Sequence, residues 1–138
     1  MFMDNSFGRN LELLQRAMDV TLYRRSVIAD NIANSDTPGF KRSVVNFESE
    51  LARAFASEHE TKLPALMTDP RHISFDRVTD WRSVSPRKVL DYTTSTKNNG
   101  NNVDLEEELM LELQNQLNYD LYTQAVSNQF TQINMIVK

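Results

Sequence analysis

Asp69, His72 and Asp76 are the nearest this sequence comes to a reactive constellation. Brought together by a turn, they would offer two carboxylates and an imidazole, enough for a general base or part of a metal site. The set is thin, because His59 is the only other histidine and no third converging ligand stands near it. With three glycines in the whole chain, there is neither a glycine-rich phosphate loop nor a Gly-x-Ser-x-Gly elbow. Cysteine is absent, which removes thiolate nucleophiles, disulfides and Cys-type zinc sites together. The residues therefore read as no enzyme, with no cofactor, no metal and no small-molecule substrate. A metal-dependent hydrolase built on Asp69 to Asp76 would require bound metal, or activity lost in His72→Ala.

Arg82, Arg87 and Lys88, close to Trp81, could contact nucleic acid by charge and stacking, but Asp76, Asp80 and Asp91 lie among them. The chain as a whole carries 15 Lys and Arg against 19 Asp and Glu, net -4, so no positive field favours nucleic acid or anionic lipid. In a polymer, Trp81 and these arginines could instead meet a neighbouring subunit, both types being enriched in interface cores.

The elements that must position these residues are mainly helical. From Phe7 to Asn34 the apolar residues Phe7, Leu11, Leu14, Met18, Leu22, Ile28 and Ile32 recur with many steps of three or four, without an internal proline. That is an amphipathic helix, and Leu13, Ala17, Val20 and Val27 widen its apolar surface towards more than one neighbour. Pro38 cannot continue it, and Gly39 can take the positive φ of the third position of a type II turn, so Thr37-Pro38-Gly39-Phe40 reads as a turn. Phe47, Leu51 and Phe55 with Glu48 and Glu50 at the start predict a shorter helix over Asn46 to Ser57.

Between Glu58 and Asn102 the pattern breaks at Pro64, Pro70 and Pro86, with Ile73 to Val78 and Val89 to Tyr92 as short strand candidates. It closes on the loop Lys97-Asn98-Asn99-Gly100-Asn101-Asn102. Asp104 and Glu107 then form a capping-box-like pair opening a last helix, whose leucines 105, 109, 113, 117 and 121 follow at four-residue steps. Five of its six acids precede Leu113, and its second half is nearly charge-free and rich in amides. Such a surface suits burial between subunits, where amides fix register without the cost of desolvating ions. The N-terminus lacks the form of a secretory signal, and the longest uncharged stretch is too polar to span a bilayer.

The expected architecture is two long terminal helices packing as an antiparallel coiled-coil-like pair, with a short helix and an irregular centre holding room for short strands. Its parts are residues 1-42, 43-102 and 103-138. The residues expected to pack the helices are Leu11, Leu14, Met18, Leu22, Ile28, Leu109, Leu113, Leu117, Leu121, Phe130 and Ile133.

The run Asn31-Ile32-Ala33-Asn34-Ser35-Asp36-Thr37-Pro38-Gly39-Phe40-Lys41-Arg42 resembles the N-terminal signature of the flagellar axial proteins, the rod and hook family. Asn98-Asn99-Gly100-Asn101-Asn102-Val103-Asp104-Leu105-Glu106, then Leu117-Asn118-Tyr119 and Ser127-Asn128-Gln129-Phe130, resemble one proximal-rod type within it. A second proximal type would show a Glu-Met run followed by Arg-x-Tyr and Asn, which is missing here.

The resemblance implies a structural subunit exported by the flagellar type III apparatus. It would reach the periplasmic rod base near the membrane ring and export gate, contact other rod proteins there, and self-associate through its terminal helices. Phe7 and Leu11 fit the family's short export-docking element, and equally fit two successive positions on one helix face. Asn31, Asn34 and the Thr37 to Phe40 turn would set where the first helix ends and how the chain leaves it; a local helix stop is the plainer account. A soluble helical adaptor or export chaperone of the flagellar system is the competing function.

Overall fold

The computed structural model describes residues 6-59, 68, 69, 71, 79-94 and 97-137. His72, Asp76 and the strand expected over Ile73 to Val78 lie outside them.

The first helix, α1, runs Ser6–Ala33 and the last, α3, Leu105–Val137, about 42 and 50 Å long at 1.5 Å per residue. They pack antiparallel. Asn31 donates to Glu108 Oε2 at 3.1 Å, while Asn115 donates to the backbone carbonyl of Thr21 at 2.8 Å. Stepping back along α1 thus moves forward along α3. Val20, Val27, Ile28 and Val103 are buried at this end of the pair. Between the helices, β1 (Ser43–Asn46) and β2 (Arg87–Leu90) form a two-stranded antiparallel ribbon, extended by the Asp91 amide donating to Arg42 O at 2.9 Å.

The chain separates into two compact units, one reaching Val45 and resuming at Lys88, the other spanning Asn46–Arg87. In the second unit, α2 (Glu48–His59) begins two residues later than expected, because Asn46 ends β1 and its side chain accepts from Ser49 Oγ at 2.6 Å. A short 3-10 turn, Trp81–Ser83, has Asp80 as its cap. Trp81, expected at a subunit boundary, is 2% exposed and lies 6.0 Å from the Phe55 ring, with the Arg82 guanidinium 4.7 Å over its face. It is a core residue of this small unit, and burial of its large ring leaves no surface for a partner to contact.

The expected packing positions divide. Ile28 is buried; Leu11, Leu14, Met18 and Ile133 are partly covered. Leu22, Leu109, Leu113, Leu117, Leu121 and Phe130 remain 49% to 62% exposed, so they do not pack within this chain. The reason is helical geometry. A four-residue step turns about 400°, so each leucine sits about 40° further round than the last, and Leu105 to Leu121 sweep about 160° of the helix. Only alternating steps of three and four hold one face, and the buried Val20, Val27 and Asn31 of α1 are spaced that way. No described helix is long and apolar enough to cross a membrane.

Candidate functional site

The two sequence stretches that carry the axial-protein resemblance, 60 residues apart along the chain, meet in space at one end of the helix pair. α1 stops where Asn34 N bonds both Asp30 O and Asn31 O. The chain then turns at Pro38-Gly39, where Gly39 has φ 72° and the Phe40 amide returns to Thr37 O at 3.3 Å. This is the type II arrangement, and a residue with a Cβ would be strained at that φ.

Against this turn lies the Asn-rich loop. Asn101 is fully buried, and its side-chain amide donates to three carbonyls at the end of α1, Asn34 O at 2.9 Å, Ser35 O at 3.0 Å and Thr37 O at 2.8 Å. Its own Oδ1 accepts from Val103 N at 2.7 Å. A helix end leaves carbonyls without helical partners, and here one side chain from a distant loop supplies them. The contact is doubled by Gly39 N donating to Asn99 O, Lys97 Nζ to Ser35 O and Lys41 Nζ to Gly100 O. Gly100 packs against Gly39, where an added Cβ would make an ordinary 3.8 Å contact with the Gly39 Cα, so its φ of 80° is what favours glycine. Asn102 ties the loop to the ribbon by accepting from Arg42 N at 2.7 Å and donating to Asp91 O at 2.8 Å.

One layer deeper the joint is ionic. The Asn31 carboxamide donates to Ser43 O and accepts from Ser43 N, imitating a strand neighbour along β1, and gives its remaining hydrogen bond to Glu108. Glu108 is 1% exposed in the first turns of α3, and Arg42 Nη2 stands 2.9 Å from its Oε1. That contact is a close ion pair without the alignment of a hydrogen bond, since Oε1 has no hydrogen-bond donor among the described residues. Arg42 Nη1 donates to Glu107 Oε1 at 3.0 Å. Burial works to lower the Arg42 pKa, but the Glu107 hydrogen bond and the charges of Glu108, Glu107 and Asp91 outweigh it and raise it above its ordinary value. Asp91 is drawn down to about 2 by the Thr93 backbone amide and the Thr94 and Thr93 hydroxyls.

This arrangement holds two helices in register. Most of its polar atoms bond one another, buried Arg42 Nε and Glu108 Oε1 being the exceptions, and no group of three described acidic, histidine or cysteine residues could hold a metal. Asp104 caps α3 through Glu106 N at 3.0 Å and, more weakly, Glu107 N at 3.5 Å, while the Glu107 side chain turns to Arg42.

Comparison with known proteins bears on the same region. The family described as "Flagella basal body rod protein" matches residues 11–41, the helix and turn on one side of the joint. Over nearly the whole chain, the sequence is 42% identical to the flagellar basal body rod protein FlgB of Borreliella burgdorferi, covering 97% of this chain and 99% of that one. The chain belongs to the FlgB family. It is 30% identical to the Bacillus subtilis FlgB over 95% of each chain, and 32% identical to the Escherichia coli one over 86% of each. FlgB proteins are structural rod proteins and not enzymes, in keeping with a joint whose polar groups serve geometry.

Within this FlgB chain, Asn31 is buried in the joint, Asn34, Thr37, Gly39 and Phe40 form its turn with Pro38, and Ile32 and Ala33 close α1. The residues that complete the site, Arg42 on this side and Asn101, Asn102 and Glu108 on the other, were visible in sequence only as the end of a signature, part of an Asn-rich loop and an acidic helix start. Asparagines in a loop read as turn formers, and an acid in a first helical turn reads as a dipole partner. Neither pattern reveals that the side chain is buried against a stretch more than 60 residues away.

Proposed function

We propose that this FlgB chain is a structural subunit of the proximal rod, polymerising through its terminal helices at the rod base near the membrane ring and export gate. One observation supports this most. The joint fixes α1 and α3 as an antiparallel pair, yet α3 keeps a row of four leucines from Leu109 to Leu121 at least half exposed. A monomer that locks its helices and leaves such a row open is built to be covered by neighbours. Other rod proteins, further copies of the chain, and ring and export-gate proteins are the partners on this reading.

Delivery by flagellar type III export and residence in the periplasmic space follow from the same reading, as does an export role for Phe7 and Leu11, both partly covered in α1. The signature residues Asn31 to Phe40 set the exit of the chain from α1. To test the proposal, the gene is deleted and restored with a tagged copy, and basal bodies are purified. The expected result is a rodless, non-motile deletion strain and the tagged protein at the rod base. A cytoplasmic protein bound to another rod subunit would establish the adaptor function in its place.

A further inference from the structure

Asn99-Gly100 is the one Asn-Gly pair in the chain. An asparagine side chain before glycine is open to attack by its own main chain, because no side chain shields the glycine nitrogen. Asn99 is exposed, on the turn that packs against Gly39. The neighbouring asparagines are placed otherwise. Asn98, Asn101 and Asn102 precede residues that carry a Cβ, and Asn101 is buried with its amide on three carbonyls.

Three donors surround the atoms that would react. Asn101 N donates to Asn99 Oδ1 at 3.1 Å, so it polarises the side-chain carbonyl and stabilises the oxyanion formed when Cγ is attacked. Gly39 N donates at 3.0 Å to Asn99 O, the carbonyl of the Asn99-Gly100 peptide itself. When Gly100 N loses its proton, the charge spreads onto that oxygen through the peptide resonance. Lys41 Nζ, 2.9 Å from Gly100 O, sets a positive charge beside the same nitrogen and favours its anionic form. One contact works the other way. Gly100 N donates to Lys97 O at 3.1 Å and must release it, an opening confined to one turn that costs little.

We infer that Asn99 is a self-modification site, where the folded joint promotes deamidation by the chain's own backbone. Hydroxide takes the Gly100 N proton, Gly100 N bonds to Asn99 Cγ, and the side-chain nitrogen leaves as ammonia, its third proton supplied by water. Water then opens the five-membered imide. Breaking the bond from nitrogen to Cγ leaves aspartate; breaking the bond to the original main-chain carbon leaves an isoaspartyl link that runs through Cβ. Aspartate keeps the acceptor for Asn101 N and the length of the loop. The isoaspartyl link adds a main-chain atom and moves the acceptor of Gly39 N off the main chain. Asn101 then no longer meets its three carbonyls at the end of α1 together.

The test incubates the free chain in mildly alkaline buffer, folded and in urea. Fragment mass spectrometry locates the conversion, and an isoaspartyl methyltransferase counts the isoaspartate. The folded chain should convert at Asn99 faster than the chain in urea, and at least tenfold faster than at any other asparagine. Lys41→Met separates promotion from loosening: it should slow conversion several-fold, whereas removing a lysine that only held the loop shut would speed it. In the isoaspartyl fraction the Gly39 amide should exchange hydrogen at least tenfold faster, while Asn99→Asp leaves that exchange unchanged. If the folded chain keeps its Asn99 amide while the unfolded chain loses it, or if Lys41→Met speeds the loss, the loop protects Asn99 and the inference is wrong. Neither result touches the rod reading, on which it does not rest.

Discussion

At the scale of single residues, the joint depends on a few buried polar side chains whose removal leaves partners stranded. Glu108 and Arg42 are the sharpest case. Their pairing is buried on one side, with the Glu108 side chain 1% and the Arg42 side chain 12% exposed, whereas Glu107 is 54% exposed. Glu108→Ala should cost about 3 kcal/mol, because an arginine is left in a dry site without its closest counter-charge. Glu107→Ala should cost below about 1 kcal/mol, since water replaces an exposed partner. Urea unfolding of the two variants measures the difference, and equal losses would show that Glu108 is not the ion that matters.

Asp91 supplies a pH dependence of definite sign. Its carboxyl, ordinarily near 3.8, is held at about 2 by the Thr93 and Thr94 donors. A depressed acid contributes stability above its unfolded pKa and loses it as pH falls through the folded one, so its contribution should fade between about pH 4 and pH 2. Asp91→Asn should flatten that part of the thermal midpoint against pH, other carboxylates titrating as before.

At the scale of elements, caps and turns decide where the helices stop. Asp104→Ala removes the acceptor for Glu106 N and should cost about 1 kcal/mol. Gly39→Ala meets no steric neighbour within 4 Å, so its cost is the backbone strain of φ 72° alone, again about 1 kcal/mol. Loss of helical signal at a lower urea concentration, with the slope unchanged, is the expected readout for both.

Elements of this kind were largely legible in the sequence. Pro38-Gly39 announced the turn, Asp104 the start of α3, and the absence of interior proline the length of α1, because each acts through its own local backbone. The direction in which each helix faces was not. A run of leucines at four-residue spacing looks like one stripe, but it winds, and the actual seam includes Thr21, Asn31, Glu108 and Asn115, polar residues that no search for apolar periodicity would select. Their burial is set by partners more than 70 residues distant, a property of the fold rather than of the local chain.

At the scale of the whole molecule, the helix pair is closed at one end only. Every buried residue of α1 apart from Gly8 lies from Val20 onward, and the buried residues of α3 are Glu108 and Asn115. Beyond these the pair continues for about 20 Å with neither helix sealed, while Met135, Ile136 and Val137 are 68% to 84% exposed. Local opening costs least where few apolar contacts must be broken. In the free subunit, amide hydrogen exchange should therefore be slow from Val20 to Asn31 and from Val103 to Asn115, and fast from Ser6 to Met18 and from Leu121 to Val137. In assembled rods the fast segments should become slow, because neighbours then cover the surfaces that the chain leaves open. Uniform protection along both helices of the free subunit would mean that the far end is already closed, and that assembly adds contacts without ordering anything.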